Sequence, residues 1–219
     1  MLPRPIRLVV VDDHQVLLDL LTARLRREPD FEVVGTAANG DDGLHVLERH
    51  KPDVAVLNVE LPGRCAFEVA RETLACQKSL KVLFLTGYLS DVFVEEALRL
   101  GSCGYLMKGE PTQVLIDSIR STVAGETCFS DAVRSRIVYD DRLERYVMKT
   151  RNPLLNLTSR QLQVMRLLAH GQSVKEVARR LHLSEKSVDS HKYRIMHKLG
   201  IHDRVELARY AIREGLMLP

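Results

Sequence analysis

The fold is decided by the stretch Val54-Ala55-Val56-Leu57-Asn58-Val59-Glu60-Leu61-Pro62-Gly63. Its first four residues are apolar without a helical period, which is typical of a strand buried on both faces of a parallel sheet. Pro62 and Gly63 then turn the chain. In doubly wound sheets, ligands bind at the carboxyl ends of the strands. Asn58, the polar residue that ends this strand, is therefore a candidate site residue.

Similar segments lie on both sides of this stretch. Apolar runs predict strands over residues 6–11, 31–36, 54–57, 81–86 and 104–108, and helical patterns follow each of them. Pro111 opens the last of these helices, and Gly125 lies just past its end. The alternation predicts an α/β domain with a doubly wound, five-stranded parallel sheet over residues 1–126.

Composition indicates a globular protein of the cytoplasm. The 219 residues are 45% hydrophobic and 28% charged, and no run approaches the 18 apolar residues of a membrane span, so we expect no membrane partner. The first apolar run stops at Asp12-Asp13 without a cleavage site, which argues against a signal peptide. The four cysteines form no CxxC pair, so we expect free thiols.

Charge divides the chain into an acidic part and a basic part. Residues 1–126 hold 14 Lys and Arg against 19 Asp and Glu, residues 127–148 hold 4 of each, and residues 149–219 hold 14 against 6. This asymmetry predicts two domains, of which the second binds a polyanion.

Residues 127–155 are predicted to be a helical linker with a hinge. Val133, Ile137, Val138 and Leu143 could lie on one helix, and Thr150-Arg151-Asn152-Pro153 reads as a flexible joint.

Residues 156–219 are predicted to form an all-α tetrahelical domain with a helix-turn-helix. Thr158 and Gln161 have the spacing of a capping box, while Ser184 and Asp203 are predicted to cap the third and fourth helices. The third helix is expected to bury Val188, Ile195 and Leu199. The fourth is expected to bury Val205, Ala208 and Ile212, and its other face offers the candidate dimer contacts Leu207, Tyr210 and Ala211.

The first domain resembles the receiver domain of bacterial response regulators. The matching residues are Asp12-Asp13, the turn at 57–63, Thr86 and the stretch 104–108. In that family the acidic pair and a third aspartate bind Mg²⁺, and the third aspartate accepts a phosphoryl group. A threonine and a lysine contact that group, and an aromatic side chain repacks. The resemblance thus implies a receiver pocket made of Asp12, Asp13, Thr86, Tyr105 and Lys108.

Asn58 occupies the position of the phosphoacceptor. An amide is neutral, a poor nucleophile and a weak Mg²⁺ ligand, so we expect no phosphorylation, no enzymatic activity and no cofactor beyond a weakened Mg²⁺ site at Asp12 and Asp13. Three alternatives remain open. Glu60 could restore the missing charge, the natural residue 58 could be Asp in a conventional phosphorylation-switched regulator, or the receiver edge could be reused to bind a ligand or protein.

The second domain resembles the LuxR-type helix-turn-helix over residues 157–216, and the whole chain resembles the NarL/FixJ class. The residues that carry the likeness are Leu157-Thr158, Gly171, Val177-Ala178, Leu183-Ser184, Ser187-Val188, His191, Ile195, Lys198-Leu199 and 204–207. The resemblance implies that the third helix enters the major groove of double-stranded DNA. The predicted DNA contacts are Lys186, Ser187, Ser190, His191, Lys192, Arg194 and Lys198. Tyr193 and His197 also fall on its outer faces, and Asp189 could repel phosphates or accept a hydrogen bond from cytosine.

These features predict a transcriptional regulator with an atypical receiver. We expect a homodimer on two half-sites, with a sensor kinase or another signalling protein as a further partner. Because Asn58 cannot accept phosphate, the domains should be released by default, held apart by the linker, or governed by another signal.

Overall fold

The predicted parallel sheet is present and gains a sixth strand. A computed structural model of the protein describes residues 4–87, 89–149 and 157–213. The strands are β1 (Ile6–Val11), β2 (Phe31–Ala37), β3 (Val54–Leu57), β4 (Lys81–Thr86), β5 (Gly104–Met107) and β6 (Cys128–Phe129). Their order is β2-β1-β3-β4-β5-β6, and all neighbours are parallel. The five predicted strands are confirmed.

Helices cover both faces of the sheet. They are α1 (Gln15–Leu25), α2 (Gly40–His50), α3 (Ala66–Cys76), α4 (Asp91–Arg99) and α5 (Thr112–Val123). Successive side chains of β1 point to opposite faces, so Val9 and Val11 pack towards α2, α3 and α4, while Leu8 and Val10 pack towards α1 and α5. These four side chains are at most 1% exposed, as the unbroken apolar run predicted.

The predicted linker helix is wrong. After β6 the chain forms a single helical turn, α6 (Asp131–Arg134), and then an antiparallel hairpin of β7 (Ile137–Asp140) and β8 (Arg145–Met148). The domain boundary predicted at residue 126 is also too early, because β6 pairs with β5 in the receiver sheet. The predicted hinge at residues 150–153 lies outside the described residues.

Local chemistry explains why residues 137–148 form a hairpin. The carboxylate of Asp140 accepts hydrogen bonds from the backbone N–H groups of Arg142 and Leu143, which closes the turn. The rings of Tyr139 and Tyr146 then meet edge-on across the strands at 5.2 Å. Leu143, which a helix would have buried, is 54% exposed at the turn.

The second domain has the four predicted helices. They are α7 (Ser159–Ala169), α8 (Val174–Arg180), α9 (Glu185–Leu199) and α10 (Arg204–Arg213). The capping box of Thr158 and Gln161 is formed, and the hydroxyl of Ser184 accepts from the N–H of Ser187. The carboxylate of Asp203 caps α10 in the same way.

The face of α10 that packs inward is the opposite of the predicted one. Leu207 and Ala211, predicted as dimer contacts, are 2% and 0% exposed, and Tyr210 packs partly against the same core. Val205 and Ile212, predicted for the core, are 61% and 38% exposed. Apolar residues occur on both sides of this helix, so periodicity alone did not determine which side is buried.

Two sequence predictions concern membrane-spanning helices and the pairing of cysteines. Among the described residues, no helix combines the length and apolarity that crossing a bilayer requires. The thiols of Cys65, Cys76, Cys103 and Cys128 are all unpaired, as predicted.

Candidate functional site

The carboxyl ends of the central strands bring the predicted receiver pocket together. Asp12 follows β1, Asn58 follows β3, and Lys108 follows β5. The ammonium Nζ of Lys108 lies 2.7 Å from Oδ2 of Asp12, and Nδ2 of Asn58 lies 2.8 Å from Oδ1 of Asp13. The ends of parallel strands thus form one polar edge at the point where strand order reverses.

Asn58 is held as a hydrogen-bond donor. Its side-chain amide donates to Oδ1 of Asp13 at 2.8 Å and to the backbone oxygen of Glu60 at 3.0 Å. Both partners are acceptors, so the opposite orientation of the amide would place oxygen against oxygen. Asn58 is only 3% exposed, and its amide group is therefore committed to the protein.

The acidic pair offers an incomplete metal site. Carboxylate oxygens of Asp12 and Asp13 and Nδ1 of His14 lie within 4.8 Å of one another. Asp12 is already paired with Lys108, and Asp13 receives the amide of Asn58, which supplies no negative charge. Mg²⁺ prefers oxygen ligands in near-octahedral geometry, and this donor set holds one carboxylate fewer than the phosphoacceptor arrangement. The site therefore fits a Mg²⁺ ion poorly.

Thr86 and Tyr105 lie inside the domain. Both are 0% exposed, and the ring of Tyr105 lies 6.3 Å from that of Phe84. Burial raises the pKa of the Tyr105 phenol far above its usual value, so this group stays protonated. Tyr105 is therefore a packing residue here rather than a solvent-facing one.

Glu60 does not complete the metal site. Its carboxylate pairs with the guanidinium of Arg166 on α7, in the second domain. The hypothesis that Glu60 restores the missing charge beside Asp12 and Asp13 is therefore not supported by its position.

The second domain docks on this same edge of the receiver. Besides Glu60–Arg166, Arg160 donates to the backbone oxygen of Gly63 at 2.9 Å, and Nδ1 of His182 lies 3.2 Å from Oδ2 of Asp41. The expectations that the domains are released or held apart by the linker are therefore wrong for this structure. The sequence showed no signal for this interface, because its charged residues look like ordinary solvated positions.

α7 is enclosed from two sides. Its apolar side, which includes Leu162, Met165 and Leu168, packs into the second domain as predicted. Its other side carries Gln163 and Arg166, which are only 6% and 5% exposed and line a cleft of about 400 Å³ against the receiver edge. On this side the receiver contacts α7 through polar groups, while one apolar cluster also joins buried residues of the two domains.

α9 keeps an exposed face. Val188 and Ile195 are 0% exposed and anchor its inner side, whereas Tyr193 on the outer side is 70% exposed. The rings of Tyr193 and His197 stack at 6.3 Å. Among the described residues, the hydrogen bonds and ion pairs to the receiver come from α7, from Arg180 at the end of α8 and from the α8–α9 turn, and none involves this outer face.

The predicted DNA contacts are distributed unevenly on α9. Lys186, Ser190 and Arg194 are exposed on the outer side. Lys198 donates instead to Oε1 of Gln161 at 2.9 Å, which turns it towards α7. Ser187 is half-buried, and its backbone N–H donates to the hydroxyl of Ser184, which caps α9. The Nζ of Lys192 lies 3.1 Å from Oδ1 of Asp189.

His191 lies at the margin of the interface between the domains. It is half-buried, and its Nδ1 has no hydrogen-bond partner among the described residues. Burial, followed by the charges of Arg160 and Arg194, lowers the pKa of His191, so its neutral form is favoured. A neutral imidazole is a weaker phosphate ligand than a protonated one.

Comparison with known proteins identifies the class. Residues 8–120 match the response regulator receiver domain, and residues 155–211 match the bacterial regulatory proteins of the luxR family. The chain belongs to the response regulators that join a receiver domain to a LuxR-type helix-turn-helix domain. It is similar to the response regulator UvrY of Escherichia coli K12, with 31% identity over 211 residues that cover 96% of this chain and 95% of UvrY.

Solved structures agree with the fold. RcsB of Salmonella typhimurium matches with a TM-score of 0.70 at 20% identity, covering 95% of this chain and 97% of RcsB. RcsB bound to the promoter rprA in the presence of the phosphomimetic BeF₃⁻ matches with a TM-score of 0.64 at 20% identity, over 94% and 98% of the two chains. The predicted α/β receiver followed by a helical domain is thereby confirmed.

Proposed function

We propose that this protein is a transcriptional regulator that binds double-stranded DNA through α9 without being phosphorylated. The observation that carries the proposal is the amide of Asn58, which occupies the acceptor position and donates to Asp13 and to the backbone of Glu60. An amide in this role has no carboxylate oxygen that could attack a phosphodonor. A receiver of this kind cannot use an acyl phosphate as its signal.

The exposed face of α9 supports DNA binding in the docked arrangement. Lys186, Ser190 and Arg194 lie on a helix of a helix-turn-helix domain, where basic residues contact phosphates and polar residues reach base edges. RcsB, which shares the fold, has been captured on promoter DNA. The excess of basic over acidic residues in 149–219 supplies the attraction to a polyanion.

A homodimer remains part of the proposal, with different contacts. One small helix-turn-helix domain buries little DNA surface, and two copies on adjacent half-sites would double it. Leu207 and Ala211 are buried within their own domain and are unsuited to the dimer contact. Val205 and Ile212 are the exposed apolar residues of α10 and take their place as candidates.

The input signal in this proposal is not phosphate transfer. A sensor kinase has no acceptor at residue 58, so a signalling protein or ligand would have to act by binding. The docked edge, with Glu60, Asp13 and His14 facing α7 across the cleft, is the surface where such binding would be felt by the second domain. A conventional phosphorylation switch would require an aspartate at residue 58.

The test is a random-oligonucleotide selection with the full-length protein in the absence of any phosphodonor. We expect enrichment of a defined sequence, and affinity for it should fall steeply as salt rises. Arg194→Ala should weaken binding to all sequences and reduce the log–log salt slope by about one. Arg27→Ala, which removes the same charge from the receiver surface, is the matched control and should leave the slope unchanged. Failure to enrich any sequence would overturn the proposal.

A further inference from the structure

The outer face of α9 carries an acidic residue where attraction to DNA would favour a basic one. We infer that Asp189 is a specificity-determining residue that selects cytosine in the major groove, and that Lys192 positions the Asp189 carboxylate. This inference rests on the proposed DNA binding. The inference extends the proposed function from binding to base choice.

Helical geometry places Asp189 on the groove-facing side. Each residue of an α-helix advances by about 100° around the axis. Taking Lys186 as zero, Ser190, Tyr193 and His197 lie within about 40° of it, and Asp189 lies about 60° away. Val188 and Ile195, which are 0% exposed, fall on the opposite side, at roughly 200° and 180°.

The exposure of neighbouring side chains agrees with this placement. Tyr193, one turn after Asp189, is 70% exposed, and the Asp189 side chain itself is 57% exposed. Asp189 pairs with Lys192 within α9 and lies roughly 160° around the helix axis from His191, which borders the cleft shared with the receiver. Asp189 is therefore positioned to meet a base edge or a phosphate.

The chemistry of a carboxylate decides which base it can meet. An ionised carboxylate only accepts hydrogen bonds. In the major groove, guanine presents the acceptors N7 and O6, and thymine presents O4, so both repel it. Adenine offers an amino group beside the acceptor N7, whereas cytosine offers its N4 amino group without such a neighbour. Cytosine is the best partner for Asp189.

Lys192 makes an acidic residue tolerable at this position. Its Nζ lies 3.1 Å from Oδ1 of Asp189, one turn along the helix. The pair offsets the repulsion between the carboxylate and nearby phosphates and restrains the carboxylate on the outer side of α9. A carboxylate has about four acceptor sites, so the ion pair leaves room for a base.

The experiment compares base preferences in the full-length protein. After selection on random oligonucleotides, we would measure competition binding with each of the four base pairs at every position of the enriched site. The wild type should prefer cytosine at one position in each half-site. Asp189→Ala should reduce that preference roughly 5- to 150-fold and leave the other positions unchanged. Asp189→Asn should shift the preference from cytosine to adenine, because an amide pairs with adenine N6 and N7.

Glu185→Ala is the matched control. Glu185 carries the same charge on the same exposed helix, but it lies about 100° around the axis from Lys186, so its loss should change overall affinity without altering base choice. If Asp189→Ala strengthens binding to all sequences equally, Asp189 only repels DNA, and the inference fails while DNA binding stands. If the wild type enriches no sequence, both this inference and the proposed function fail.

Discussion

At residue 58, the NH₂ group of an amide takes the place that a second carboxylate oxygen would have in aspartate. Where an aspartate would present a second oxygen, the amide presents an NH₂ group that donates to Asp13 and to the backbone of Glu60. A hydrogen bond to a charged acceptor contributes roughly 1.5–3 kcal/mol. At this edge Lys108 neutralises Asp12, and the amide of Asn58 satisfies Asp13.

Replacing Asn58 with aspartate should turn its attraction to Asp13 into repulsion. Asn58→Asp would place two carboxylates about 2.8 Å apart, the present distance between Asn58 Nδ2 and Asp13 Oδ1. We expect the variant to be less stable than the wild type without Mg²⁺, to be stabilised by added Mg²⁺, and to form an acyl phosphate with acetyl phosphate. Thermal melts and intact mass spectrometry would measure these effects.

Two comparisons make the result specific. The wild type should gain no phosphoryl mass under the same conditions. Gln77→Glu, which introduces the same charge just past α3, where the Gln77 amide donates to the backbone oxygen of Pro52 rather than to a carboxylate, should show neither Mg²⁺ dependence nor phosphorylation. Phosphorylation of the wild type at this edge would contradict the assignment of Asn58 as a non-acceptor.

At the scale of secondary-structure elements, the sequence was most informative where one pattern dominated. The apolar runs of β1 and β3 allowed only a buried strand, and Thr158 with Gln161 located the start of α7. Residues 137–148 were ambiguous, since Ile137, Val138 and Leu143 suit a helix by spacing and a strand by type. The pairing of Tyr139 with Tyr146 decides between them, and a tertiary contact of this kind has no signature in the sequence.

The site residues were also predicted best where a single pattern dominated the sequence. Asp12, Asn58 and Lys108 were predicted together because the ends of parallel strands must converge, and the structure brings them together. The predicted contacts on α9 were chosen by charge, which favoured Lys198 over Tyr193. In the structure Lys198 donates to Gln161 on α7, whereas Tyr193 is 70% exposed, and neither feature is visible before the helices pack.

The hairpin is stabilised by the Tyr146 ring, which lies 5.2 Å from the rings of both Phe129 and Tyr139. We expect Tyr146→Ala to lower the free energy of unfolding of the first domain by roughly 1–3 kcal/mol, because it removes two aromatic contacts and leaves a gap. Urea denaturation would measure the change. Tyr146→Phe retains both ring contacts and should differ from the wild type by less than about 0.5 kcal/mol. Equal effects of the two variants would show that the hydroxyl, rather than the ring, stabilises the hairpin.

At the scale of the whole molecule, the receiver holds the second domain through ion pairs and backbone hydrogen bonds. Arg166 is the most buried of the charged residues that face the receiver, at 5% exposure, and its partner is Glu60, two residues after Asn58. The residues that follow β3 therefore connect Asn58 to α7. Such a contact could transmit a binding event at the edge to the DNA-binding domain without any covalent change.

Weakening this contact should expose the joint between the domains. We expect thermolysin to cut first between Lys149 and Leu157, leaving a larger acidic fragment and a smaller basic one. Arg166→Ala should speed that cut roughly 5- to 30-fold, because losing a half-buried ion pair costs about 1–2 kcal/mol of domain docking. Fragment appearance on denaturing gels would give the rates.

Arg4→Ala serves as the control for that experiment. It removes an ion pair with Asp53 within the receiver, away from the docked edge, and should not change the cutting rate. If Arg166→Ala also leaves the rate unchanged, the ion pair with Glu60 does not hold the domains together. Digestion without stable fragments would contradict the division into two domains.

The polar side of α7 has a consequence for how the protein denatures. Gln163 and Arg166 can be solvated by water about as well as they are satisfied by the receiver, so separating this polar part of the interface adds little heat capacity. These polar contacts therefore couple the two domains only weakly in thermodynamic terms. Calorimetry should record two melting transitions rather than one, and the temperature of each should be set by its own core.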